Sequence, residues 1–201
     1  MLRLYCRRRI ELWWGIGVNL KAVKYKSSTA FFIENDSHLE DAPSLAKYAN
    51  NRKIWQNIRD AFPSPYTLDH AKDYIKGMQE MESQKIFAIT LDGAAIGSIG
   101  IHPNQLPNKR YNAELGYWLG EEFWRQGIIT EALRLIKSYG FSTLALHKIF
   151  AEVYDHNIGS MRALEKAGFR KEVILKEEAF KNNRIVDVHR YFALKTSENI
   201  A

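Results

Sequence analysis

Glu114–Ala132 reads ELGYWLGEEFWRQGIITEA, and inside it the spacing of apolar side chains changes period. Ala113, Leu115, Tyr117 and Leu119 alternate with Glu114, Gly116 and Trp118, which is the period-2 pattern of a strand. After Gly120 the pattern becomes helical. Ile128, Ala132, Leu135, Ile136 and Tyr139 fall at helical spacing behind Gly127, and Gly140 stands where a C-terminal cap is expected. A glycine where a strand hands over to a helix leaves the first backbone N–H groups free and lets a ligand come close. Such a turn favours an anion, above all a phosphate. Taken alone, it is equally an ordinary strand-to-helix turn.

The elements outward from this junction follow from the same patterns. Thr29–Ile33 is an expected strand, Asp41–Asn51 a helix with Leu45, Ala46 and Ala49 on one side, and Ile54–Ile58 its continuation or a further turn. Pro63–Thr67 breaks the chain, and Thr67 caps a helix predicted from Leu68 to about Gln84, with Tyr74, Ile75, Met78 and Met81 as its stripe. Lys85–Leu91 and Ala95–His102 alternate on either side of Asp92-Gly93, a strong hairpin signal. Past the central helix come a strand at Lys148–Val153 and a helix at Ile158–Ala167 closed by Gly168. Two last strands, Phe169–Leu175 and Ile185–Leu194, are joined by a polar loop holding Lys181, Asn182 and Asn183. This order defines an α/β chain around a mixed sheet.

Composition bounds the rest. With 201 residues, 46% of them hydrophobic, the chain has enough apolar material for one substantial core. The net charge of +6 and pI near 9.3 would ordinarily point to nucleic acid or an anionic surface. Its location argues otherwise. Residues 1–26 hold seven of the 29 basic and one of the 23 acidic side chains, so the remainder carries 22 of each and is formally neutral. The opening MLRLYCRRRIELWWGIGVNL only faintly imitates a signal peptide or amphipathic anchor, since Glu11 and Asn19 interrupt its apolar run. The expected division is a basic extension over 1–26, one domain over 27–196 and a tail over 197–201. A single cysteine, Cys6, gives neither an internal disulfide nor a metal-type pair, and points to a reducing, cytoplasmic setting. The six histidines show no close ligand spacing, so no metal is assigned.

The loop Trp124, Arg125, Gln126, Gly127, Ile128, Ile129 resembles the pyrophosphate-binding loop of the GNAT family of N-acetyltransferases, written Q/R-x-x-G-x-G/A. Shorter words agree: PYT at Pro65–Thr67, IGSIGI at Ile96–Ile101, ELGYWL at Glu114–Leu119, N-x-x-S at Asn157–Ser160 and EKAGF at Glu165–Phe169. The segment is most similar to the ribosomal-protein-alanine acetyltransferase branch, which often writes W-G-K-G-Y-A-T-E-A where this chain has WRQGIITEA. Arg125 stands where that branch prefers glycine, and Ile129 where it prefers a small residue. The resemblance implies a mixed sheet of about seven strands, the fourth and fifth splayed, flanked by about four helices. It also implies acetyl-coenzyme A as co-substrate, a primary amine as acceptor (a protein N-terminus or a small molecule), no metal, and a monomer or homodimer. Neither nucleic acid nor membrane is expected as a partner.

Site residues follow from the same resemblance. Backbone at Arg125, Gln126, Gly127, Ile128, Ile129 and Thr130 would hold the diphosphate, and the edge at Trp118 and Leu119 would hold the pantetheine arm. Asn157 would hold a pantetheine amide. Ser160 would protonate the departing thiolate, because Leu164 stands where many relatives have a tyrosine. An alkyl thiolate with a pKa near 8.5 needs no stronger acid than a hydroxyl or a water. Glu114 lies where several relatives carry a general base, and aromatic neighbours would raise its pKa toward a useful value. Asp187 lies beside the acceptor groove, to pair with an ammonium or to brace its hairpin. Phe62, Tyr66 and Trp124 line the groove or fill the core. Bland roles stay open beside these: core filling for Trp118, a structural or solvent-facing carboxylate for Glu114, helix capping for Ser160.

The leading expectation is therefore an acetyl-CoA-dependent N-acetyltransferase using direct attack, since no cysteine nucleophile is in sight. The alternatives are a coenzyme-A-binding module without catalysis and an anionic-surface or nucleic-acid binder acting through the basic extension.

Overall fold

The computed structural model describes residues 20–25, 29–34, 39–80 and 85–196. Its eight strands form one sheet: β1 (Leu20–Tyr25), β2 (Thr29–Glu34), β3 (Lys85–Leu91), β4 (Ala94–Pro103), β5 (Asn112–Leu119), β6 (Lys148–Tyr154), β7 (Arg170–Lys181) and β8 (Arg184–Leu194). Their order across the sheet is β1-β2-β3-β4-β5-β6-β8-β7. Every described neighbour pair is antiparallel except β5 with β6. The eighth strand beyond the seven expected is β1, which lies within the basic stretch and pairs with β2.

Among the described residues five α-helices cover the sheet. Ala42–Ala49 (α1), the single turn Arg52–Trp55 (α2) and Leu68–Glu80 (α3) precede the central strands, and Ile128–Ser142 (α4) and Ile158–Lys166 (α5) follow β5 and β6. Strand alternation sends side chains to two cores. Leu115 and Leu119 of β5 join Ile99, Ile101, Ile136, Leu133 and Leu164 under α4 and α5, while Trp118 joins Leu45, Ile54, Tyr66, Ala71 and Ile75 under α1 and α3. Among the described residues no helix is long and apolar enough to cross a membrane. The end expected for α3 at Gln84, and Met81 on its stripe, lie outside the described residues.

Two sequence expectations change. Gly140 does not cap α4, which continues to Ser142. It is buried, and a Cβ there would come 2.6 Å from Ile149 Cδ1 and 3.0 Å from Ile101 Cδ1, so this glycine serves close packing of the helix on the sheet. The polar loop expected after Leu175 is instead strand. A bulge between Leu175 and Ala179 lets β7 run to Lys181, and the turn is only Asn182-Asn183, both at positive φ (51° and 60°), as a two-residue hairpin turn requires.

β4 and β5 approach very closely at Gly97. A Cβ built there would lie 2.4 Å from the Trp118 carbonyl oxygen and 3.1 Å from Leu119 Cα, both backbone atoms that cannot move aside cheaply. Gly97→Ala is therefore expected to lower unfolding free energy by about 1–3 kcal/mol. A urea midpoint equal to wild type would contradict the crowding.

Candidate active site

β5 and β6 pair only through Asn112↔Lys148, Ala113↔Ile149 and Glu114↔Phe150. Beyond Glu114 the two strands part, as the resemblance implied. Glu114 stands at the last of these pairs, Trp118 and Leu119 lie past it on β5, and Ser160 meets Tyr117 of the same strand. Gly116, in the middle of the sheet, is exposed, so the sheet is open at its centre.

On one side of the gap stands the strand-to-helix turn. Trp124 donates its indole N–H to the Leu119 carbonyl at 2.7 Å, and Gln126 donates its side-chain amide to the Glu122 carbonyl at 2.8 Å, which ties the turn down. Arg125 is exposed with φ 60°, and Gly127 has φ 86°. The glycine preference of the related branch at position 125 thus has a backbone cause: a left-handed conformation that an L side chain occupies at a cost. No side chain caps α4, and its first turn closes with the Glu131 N–H on the Gly127 carbonyl. The N–H groups of Ile128, Ile129 and Thr130 precede that bond and belong to the unpaired start of the helix. Ile128 is buried and Ile129 packs against the core, while the space a Gly127 Cβ would take has nothing within 4 Å. The bulk at 129 points away from the open turn.

Opposite the turn, Asn157 caps α5 by accepting the Ser160 N–H at 3.1 Å on its carboxamide oxygen. Ser160 does not cap backbone with its hydroxyl. Its Oγ lies 2.6 Å from the hydroxyl of Tyr117, a strand residue whose part no local pattern reveals. Burial holds the Tyr117 phenol above its usual pKa, only partly offset by the bond to Ser160.

On the other face of the sheet Glu114 is ion-paired with Arg59, from the irregular segment before α3, and Arg59 also reaches Glu152 of β6 at 3.6 Å. Arg190 of β8 holds Glu152 with Nη2 at 2.6 Å and Nε at 3.1 Å. Phe150 of β6 stands opposite Glu114 in register, so an aromatic neighbour is present as expected, but the Arg59 guanidinium beside the carboxylate was not foreseen. His102 sits across from Glu114 in register, its pKa lowered by burial and by Arg59, so the imidazole is mainly neutral at neutral pH. Arg59 and Glu152 were not singled out from the sequence, and only the alternation of KIFAEV placed Glu152 on a defined strand face.

Asp187 accepts the Lys176 ammonium at 2.7 Å and the Glu177 N–H at 3.0 Å, both within its own hairpin, and those bonds hold its carboxyl below the usual carboxylate range. This geometry is that of a brace. Trp118 is 9% exposed and packs edge-on to Phe62, which stacks on Tyr66, so its side chain is core. Trp124, by contrast, is partly open to solvent beside the turn. Among the described residues no three His, Cys, Asp or Glu side chains gather as a metal would require. A cavity of about 350 Å³ lies apart from the gap, between Arg134, Lys137 and Lys166, where Lys137 and Arg134 donate to the last carbonyls of α5 at 2.6 and 2.8 Å.

A mixed sheet parted beside an uncapped helix start is the fold of an N-acyltransferase, and comparisons make the family definite. Residues 36–170 match the acetyltransferase (GNAT) domain. The chain is 40% identical over 103 residues to the uncharacterized N-acetyltransferase YoaA of Bacillus subtilis, a match covering 51% of this chain and 57% of that protein. It is 30% identical over 165 residues to the uncharacterized N-acetyltransferase p20 of Bacillus licheniformis, covering 78% and 89%. Among solved structures, Mycobacterium smegmatis RimJ in complex with CoA-disulfide superimposes with a TM-score of 0.74 at 20% identity, over 90% of this chain and 88% of that one. The chain belongs to the GNAT acetyltransferase family.

The two left-handed residues of the turn differ in what substitution does. Gly127→Ala should cost about 1–2 kcal/mol through backbone strain alone, since the added methyl meets nothing. Arg125→Gly should leave stability unchanged or raise it by up to about 1 kcal/mol, as relief of strain outweighs the entropy of the new glycine. Urea unfolding of both variants checks this. A loss at position 125 equal to that at 127 would show that the Arg125 side chain, not its backbone, holds the turn.

Proposed function

We propose that this chain transfers the acetyl group of acetyl-coenzyme A directly to a primary amine, a protein N-terminal α-amine or a small-molecule amine. The observation that carries the reading is the gap after Glu114↔Phe150, which has the open start of α4 on one side and the Tyr117–Ser160 hydroxyls on the other. In this reading the diphosphate lies on the backbone of Arg125, Gln126, Gly127, Ile128, Ile129 and Thr130, where free N–H groups and the helix dipole favour negative charge. The pantetheine arm runs along the freed edge of β5 at Trp118 and Leu119. Asn157, whose cap uses only its carbonyl oxygen, offers its amide N–H to that arm.

The thioester carbonyl then faces a backbone N–H of β5, which stabilises the oxyanion in a site away from water. The amine attacks carbon, the C–S bond breaks with its electron pair going to sulfur, and the sulfur takes its proton from the Ser160 hydroxyl, which solvent restores. The excess proton on nitrogen leaves to Glu114, directly or through water, and passes to solvent. Arg59, 64% exposed, occupies the carboxylate pair Glu114–Glu152, the place an incoming ammonium would take. An α-amine of pKa about 7.7–8.0 is roughly a fifth to a third neutral at pH 7.4, against about 0.1% for a lysine side chain of pKa about 10.4. An α-amine acceptor would therefore lean least on Glu114.

Thiol release from acetyl-CoA, screened against peptide N-termini, polyamines, amino acids and aminoglycosides, tests the reading. CoA binding with no release for any amine would leave a coenzyme-binding module and sink the enzyme. With an acceptor found, Ser160→Ala should lower kcat by about 10²-fold or more at unchanged CoA Kd. Glu114→Gln should lower it most at acid pH, where fewer amines are already neutral, and a pH profile superimposable on wild type would remove Glu114 from the reaction.

A further inference from the structure

We propose that Tyr117 is a positioning residue for the leaving-group proton: it donates its own hydroxyl hydrogen to Ser160 Oγ and so turns the serine hydrogen toward the departing sulfur. The inference rests on the reading of Ser160 as proton donor to the thiolate. Two hydroxyls 2.6 Å apart share one hydrogen bond and hold two hydrogens, so one hydrogen is left over, and a serine that gives its hydrogen to sulfur must accept from Tyr117. Tyr117 bonds no other described group through its hydroxyl. If Ser160 donated to the phenol, it would have no hydrogen left to turn toward the sulfur. If Tyr117 donates, the serine hydrogen is free to turn toward the sulfur.

The frame around the pair supports the same direction. Tyr117 comes from β5, three residues past the last β5–β6 pair, and Ser160 from the first turn of α5, so their bond closes the floor of the gap between two elements 43 residues apart in sequence. The Ser160 backbone is pinned by the Asn157 cap at 3.1 Å. With the main chain fixed on one side and the oxygen on the other, the O–H direction is the one freedom left to the serine. The high pKa that burial gives the phenol keeps Tyr117 protonated, and hence a donor, across the working pH range. Tyr117 itself gives up no proton in the cycle; it only holds the hydrogen bond while sulfur gains its hydrogen from Ser160.

The test uses the full chain, acetyl-CoA and whichever amine supports thiol release, with kcat, both KM values and CoA Kd measured for Tyr117→Phe, Ser160→Ala and the double variant. Tyr117→Phe is expected to lower kcat at least tenfold while CoA Kd and both KM values stay within about twofold. The double variant should be no slower than Ser160→Ala alone, because the tyrosine acts only through the serine. Should the phenylalanine variant fail to bind CoA, Tyr117→Met, which fills the space and carries no hydroxyl, must show the same loss in kcat. Normal kcat for Tyr117→Phe beside a slow Ser160→Ala overturns this proposal and leaves the serine's role standing. A Ser160→Ala variant as fast as wild type overturns the serine's role itself.

Discussion

The rest of the structure depends on one constraint: β5 and β6 are each held to a different neighbour and cannot follow one another. β5 is fixed on β4 by seven residue pairs from Ala113 to Leu119, and β6 on β8 by seven from Lys148 to Tyr154, yet between themselves they share only three. Gly97 sets the first of these attachments by letting the backbones come closer than any side chain allows. Parting leaves main-chain donors and acceptors of β5 without a strand partner in the middle of a sheet, where such groups are normally paired. Trp124 takes up the Leu119 carbonyl. A pantetheine arm, itself a chain of amides, suits the remainder because it supplies what a missing strand would have supplied.

Charge is arranged around the gap with two degrees of firmness. Lys181, 1% exposed, places its ammonium on Asp60 and 3.7 Å from the Trp55 ring centroid, and Arg52 bonds Asn182 at 2.8 Å, so the tip of the β7–β8 hairpin is locked to α2. Removing Asp60 would strand a buried cation, which makes this contact costly to break. The Arg59 pairs with Glu114 and Glu152 involve a guanidinium mostly in water, and exposed pairs contribute only about 0–1 kcal/mol. The tip of the hairpin is therefore held firmly, and Arg59 makes a contact that a competing cation can replace at little expense.

The fold was legible wherever a local rule acts. The change from period 2 to period 3.6 across Gly120–Gly127 marked β5 and α4, and Asp92-Gly93 marked the β3–β4 hairpin, because both signals depend on residues close in sequence. Gly140 misled because one residue type serves both helix ends and close packing, and only the position of Ile149 and Ile101 separates the two uses. The tip of β7 misled because a bulge at Glu177, with φ 54°, interrupts the alternation that would have shown the strand continuing. In the site, the loop and the N-x-x-S word could be read as contiguous motifs. Tyr117, Arg59 and Glu152 could not, since their partners are brought to them by strand register and by an irregular segment that carries no periodic signal.

Strand alternation also divides the proposed chemistry between the two faces of β5. Glu114 and Trp118 point to the α1 and α3 side, where Arg59 and Glu152 gather, whereas Tyr117, an odd number of positions from each, points to the α4 and α5 side and meets Ser160. An amine that loses its proton to Glu114 and a sulfur that gains one from Ser160 must then approach from opposite faces, with the thioester lying in the gap between them. A closed sheet would forbid that meeting, and a single-faced cleft would put carboxylates beside the phosphates and the departing thiolate, all negative. Parting β5 from β6 would remove both difficulties in the proposed reaction: the anionic coenzyme would keep to the side of the open helix start, the cationic acceptor to the side of the carboxylates, and only the reacting carbon would be common to both.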